Sequence, residues 1–89
     1  MKAVISVTGK DSMGIIAKVS NKCAEHSVNI VDISQSVLNE YFAMIMIVDI
    51  ERATIPFSSF VDVMAELGSN EGLVIHTMHE DIFNSMHKI

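Results

Sequence analysis

The chain has 89 residues, enough for one small domain and not for two. Its net charge is −5 with six basic residues, Arg52 the only arginine, and aromatic residues make up 6% with no tryptophan. That excludes the basic stripe and stacking platforms of a nucleic-acid module, and the lone Cys23 excludes an intrachain disulfide and any CxxC motif.

Lys2 to Thr8 is rich in Val and Ile and alternates, which predicts a first strand with Ala3, Ile5 and Val7 on one face. Gly9 to Gly14 is a polar turn. Asp11 or Ser12 is placed to cap a following helix by accepting a bond from an amide two or three residues on. Ile15, Ile16, Val19, Cys23 and Ala24 then form one apolar stripe, with Lys18, Lys22 and Glu25 facing away. The helix is expected to fade at His26-Ser27.

Val28 to Leu38 predicts a second strand, polar at alternate positions from Asp32 to Ser36, as an edge strand should be. Asn39-Glu40 is a tight reversal that demands an antiparallel hairpin. Tyr41 to Ile50 is apolar on both faces, so this third strand is expected to be central. Pro56 suits the start of a second helix, whose stripe is Phe57, Phe60, Val61, Met64, Ala65 and Leu67, with Gly68 marking its end and Ser69 to Gly72 a loop. Leu73 to His79 is a fourth strand. Ile82, Phe83, Met86 and Ile89 stand at helical spacing, suggesting a short terminal helix.

The order β-α-β-β-α-β, with right-handed crossovers, puts both helices on one face of a four-stranded antiparallel sheet. The fold class is therefore α+β, a ferredoxin-like sandwich: one domain over 1–89, its core about 2–80 and its tail 81–89. The other sheet face holds Val4 and one set of third-strand side chains, either Phe42, Met44, Met46 and Val48 or the alternate set. With 49% hydrophobic residues in so small a domain, that face is too apolar to stay wet. A homo-oligomer, at least a dimer, is expected, with a second copy or the terminal helix covering part of it. The apolar start is cut by Ser6, Lys10 and Asp11, and no apolar run approaches the ~20 residues of a membrane helix, so neither a leader nor a membrane span is expected and the location is read as cytoplasmic.

The element order, the loop Gly9-Lys-Asp-Ser-Met-Gly-Ile-Ile16 and Ser27-Val-Asn-Ile30 at the start of strand two together resemble the ACT domain, a regulatory module that commonly binds amino acids. The loop is also similar to those of small ACT proteins related to a glycine-cleavage repressor and to the regulatory part of formyltetrahydrofolate hydrolase. Met13 stands where the family often has Pro, and Ser27 where it often has Gly. The first amides of the helix, Met13 to Ile15, could take a ligand carboxylate through the helix dipole. Asp11 could take the ammonium, and Gly14 lets a ligand approach the backbone. The resemblance adds Asn29, commonly contributed by a neighbouring subunit. The predicted ligand set is Asp11, Ser12, Met13, Gly14, Ile15, Asn29 and Ile30. Against it stands a structural reading in which Asp11 only caps the helix and Asn29 only makes a turn.

No catalytic residues, metal ligands or cofactor are assigned. His76 and His79, three apart on a strand, face opposite ways, and His26 and His87 lie at helix ends. An acylphosphatase-like enzyme would need an arginine in the first loop, where there is none, and no nucleophile-base pair is suggested. The predicted function is a regulatory domain that binds a small molecule, an amino acid by resemblance, at an oligomer interface and so acts on a regulated protein partner. The alternative is a ligand-independent oligomerisation or protein-interaction module.

Overall fold

The computed structural model describes residues 1–86; His87 and Ile89, which the sequence places in the tail, lie outside them. The elements are β1 (Lys2–Lys10), α1 (Ile15–Glu25), β2 (Asn29–Leu38), β3 (Tyr41–Asp49), α2 (Phe57–Glu71), β4 (Leu73–His79) and α3 (Glu80–Met86). They form the ferredoxin-like βαββαβ sandwich with an added C-terminal helix. The sheet is antiparallel between neighbours, in the order β2-β3-β1-β4. Strands β1 and β3 are therefore central and β2 and β4 are edges.

One face of the sheet and the two long helices enclose the core. Ala3, Ile5 and Val7 of β1 meet Phe42, Met44, Met46 and Val48 of β3, and Val19 and Cys23 of α1 and Phe60 and Met64 of α2 close over them. The helix-facing set of β3 is thus settled, and the alternate residues Tyr41, Ala43, Ile45 and Ile47 occupy the other face. On that face Val4 is only 2% exposed although it is outside the core. Helix α3 packs on β1 and β4 there and covers it, leaving Leu38, Tyr41, Ile45 and Val74 exposed.

Several boundaries differ from those expected. Strand β1 continues through Gly9 and Lys10, because Phe42 and Tyr41 on β3 extend the ladder beside them. On α1, Ile16 and Ala24 are exposed, so the buried stripe is the narrower Ile15, Val19 and Cys23. Ala65 of α2 is likewise exposed. Helix α2 does not end at Gly68; it runs on to Glu71, and Gly72 closes it in the left-handed conformation at φ 70°. Gly68 is instead buried against β4, where a Cβ would stand 2.8 Å from the Leu73 carbonyl oxygen. A glycine that reads as a stop is here a contact point. The hairpin turn is the two residues expected, Asn39 and Glu40, with Asn39 at φ 58°. Among the described residues no helix is long and apolar enough to cross a membrane.

Candidate functional site

The loop after β1 is short because the strand holds on through Lys10. Asp11 then donates its amide to the Glu40 carbonyl at 2.7 Å, which ties the loop to the hairpin turn. Gly14 enters α1 at φ 82°, ψ 12°, a left-handed geometry that a side chain would resist. No side chain caps the helix. The capping role expected of Asp11 or Ser12 is therefore not taken up: the left-handed Gly14 occupies the cap position. The first intrahelical bond is Lys18 N–H to the Gly14 carbonyl at 3.0 Å, so the amides of Ile15, Ile16 and Ala17 precede the helical ladder. They carry the partial positive charge of the helix start, with no acidic side chain in the first turn to offset it.

A cleft of about 280 Å³ runs from Asp11, Ser12, Gly14 and Ile15 to Gln35 and Val37 on the edge strand. Among the described residues, Asp11 is the only charged group in its lining. Met13 is 95% exposed and does not line it. Asn29 and Ile30 are elsewhere. Asn29 is level with Asp49, which is level with Lys2, so it sits at the start of β1 while the loop leaves its end. With nine residues in β1, the separation is roughly 27 Å. Ile30 packs its side chain on the core. Within one chain, then, the structure brings Asp11, Ser12, Gly14 and Ile15 together and keeps Asn29 and Ile30 apart from them.

Asn29 belongs to a second cavity of about 330 Å³, shared with Ser27, Asp49, Glu51 and Arg52. Ser27 holds φ 57°, a position where the helix-to-strand turn would be easier for glycine. The Asp49 Oδ1 accepts the Glu51 amide at 2.9 Å and lies 3.8 Å from the Met1 ammonium. The Arg52 guanidinium has no ion-pair or hydrogen-bond partner among the described residues. Sequence reasoning missed this cluster. Its one signal was the chain's single arginine, placed just after the strand that pairs with Asn29.

Among the described residues, the remaining reactive side chains do not converge. His76 pairs with Ser6 on the open face and His79 with Ala3 on the other, where the His79 Nδ1 accepts the Asp81 amide at 3.1 Å. No group of three or more His, Cys, Asp or Glu among the described residues is arranged to hold a metal ion. Cys23 is wholly buried, and desolvation pushes its thiol up to about 11.

Residues 2–70 match the family model of the ACT domain. The chain belongs to the ACT domain family. A relative from Clostridium perfringens, a UPF0237 protein, is 48% identical over the full length of both chains. An ACT domain protein from Streptococcus pneumoniae superposes with a TM-score of 0.82 at 41% identity, covering 93% of each chain. The fold alone is shared with a formyltetrahydrofolate deformylase from Pseudomonas syringae, at TM-score 0.79 and 21% identity over 88% of this chain and 27% of that one. It is shared likewise with a putative glycine cleavage system transcriptional repressor, at 0.70 and 22% over 85% and 43%. ACT domains are regulatory modules that typically bind small molecules and oligomerise.

Proposed function

We propose that this ACT domain is a regulatory module that binds a free amino acid in the Asp11–Ile15 cleft, at an interface formed by the β2 edges of two copies. One observation carries the reading: the cleft at the start of α1 reaches Gln35 and Val37 on a strand with an unpaired edge. The amides of Ile15 to Ala17 offer a carboxylate the helix-start charge, and Asp11 offers the ammonium a charge-assisted bond. The edge suits a second copy because β2 is exposed along its length beyond Ile30, with apolar Val31, Ile33 and Val37 among its residues. A ligand bound across that edge would stabilise one assembly, and through it the engagement or release of a regulated partner.

A thermal-shift screen against the twenty common amino acids tests this. A ligand present at about 100 times its dissociation constant adds about 2.7 kcal/mol to the folded state. The Asp11→Ala protein should lose the shift. A protein indifferent to all twenty refutes the reading and leaves the interaction-module alternative, which the exposed Leu38, Tyr41, Ile45 and Val74 on the open face also favour.

A further inference from the structure

We infer that Gln35 reads the ligand's side chain and selects a free amino acid ending in an uncharged carboxamide, of the glutamine or asparagine kind. The inference rests on the amino-acid reading above and adds to it a ligand class and the residue that sets it. The β2 residues opposite the buried β3 set are Ile30, Ile33, Gln35 and Val37, which face Val48, Met46, Met44 and Phe42 in turn. Residues opposite each other across an antiparallel pair share a face, so all four point to the helix side of the sheet. Three of them are apolar and Gln35 is the exception. Its amide has no hydrogen-bond partner among the described residues, so its N–H groups and its carbonyl are both free for a ligand.

The helix side is closed unevenly, and Gln35 stands where it is open. At the β4 edge α2 packs over Leu73 and Ile75, which are buried. At the β2 edge Ile33 and Val37 stay exposed, and so does Ile16 of α1. Helix α1 thus leaves a slot along β2, and the Asp11 cleft lies in it. Asp11 and Ser12 mark one end of the cleft, beside the helix-start amides, and Gln35 lies further along β2. The Val37–Phe42 pair of the ladder falls between them. The Asp11 amide is bonded to the Glu40 carbonyl, and Gln35 is level with Met44, three residues along β3 from Tyr41. That offset is roughly 10 Å. A ligand touching both ends must be elongated, with a polar group at each end and methylene between to lie on Val37 and Phe42. A carboxamide matches Gln35, because each amide offers a donor and an acceptor and the two can exchange a pair of hydrogen bonds. A carboxylate tip could only accept, and it would share with Asp11 a cleft lined by no cation among the described residues. An ammonium tip could only donate. An aliphatic tip would leave the Gln35 amide unpaired, the mismatch that polar sites reject most strongly.

Calorimetry of the wild-type protein with glutamine, asparagine, glutamate and methionine is the test, glutamate and methionine being the charged and apolar counterparts of glutamine. Glutamine or asparagine should bind at least about tenfold more tightly than either counterpart, as a pair of hydrogen bonds implies. Gln35→Met keeps the length of the side chain and should bring glutamine and methionine to within about threefold of each other. Gln35→Ala, as a second variant, should lose the same preference. Both should keep the melting temperature and light-scattering mass of the free wild type. A merely structural role for Gln35 would move those two values and not the ratio of affinities. A Gln35→Met protein that keeps the wild-type preference overturns the inference. So does a wild type that binds most tightly an amino acid without a carboxamide. Either result leaves the proposed function in place, provided that Asp11→Ala still loses binding. A wild-type protein that binds none of the twenty amino acids overturns both readings.

Discussion

Gly68 gives the most quantitative check on how α2 meets the sheet. Replacing a glycine inside a helix by alanine ordinarily stabilises by about 1 kcal/mol, through helix propensity alone. Here the added Cβ would lie 2.8 Å from the Leu73 carbonyl oxygen, 3.1 Å from the Ile75 Cγ1 and 3.3 Å from the Ile75 nitrogen. The closest of these is backbone in β4, which can retreat only by pulling its strand from β1. Overpacking of this kind costs about 1–3 kcal/mol. With the propensity gain set against it, Gly68→Ala should be destabilised by up to about 2 kcal/mol, and a domain of this size loses about 4–8 °C of melting temperature per kcal/mol. The neighbouring Ser69→Ala is the internal control: Ser69 is exposed on the same helix, so the exchange should raise the melting temperature by the propensity term alone. Thermal melts by circular dichroism at one fixed protein concentration give both values, the fixed concentration removing any effect of self-association. A Gly68→Ala protein melting above the wild type would refute the claim that β4 is in contact there.

Other outcomes follow from the same structure. Ile33→Glu combined with Val37→Glu replaces exposed apolar residues of the proposed assembling edge by carboxylates, so light scattering should show a ~10 kDa monomer, whereas a dimer that persists would refute pairing through that edge. Phe60 is wholly buried with the His26 ring edge-on to it at 6.3 Å, and Phe60→Ala should cost about 3–5 kcal/mol in urea titrations. The Cys23 thiol is pushed up to about 11 when folded, so the unfolded chain loses this proton at lower pH than the folded one. Stability should therefore be full below the ordinary thiol range and fall as the pH rises towards 11, and Cys23→Ala should remove that alkaline slope. The ion pair between Lys18 and Glu71 ties α1 to the end of α2 at the surface, and Lys18→Ala should change stability by less than about 1 kcal/mol.

The fold was legible in the sequence because burial and periodicity coincide. Tyr41–Asp49, apolar on both faces, is central; Asn29–Leu38, polar at alternate positions, is an edge. What escaped were features decided by long-range contact. Gly68 reads as a terminator because nothing in its neighbours reveals β4 lying across it. Asp11 reads as a cap because its spacing is right, yet the left-handed Gly14 sets the entry angle and leaves no side-chain bond to make. For the candidate site, the loop and its free amides could be read from Gly9 to Ile16. Arg52 could not, because its closeness to Asn29 depends on which strands are neighbours and not on sequence distance.

The bond from the Asp11 amide to the Glu40 carbonyl couples two parts that the chain keeps 29 residues apart. It hangs the recognition loop on the turn that sets the register of β2 against β3. Under the proposed function, load and lever are then a single piece: whatever occupies the loop also bears on the turn at the foot of the assembling edge. Occupancy could reach the subunit contact through one backbone hinge, without the core of the domain having to move.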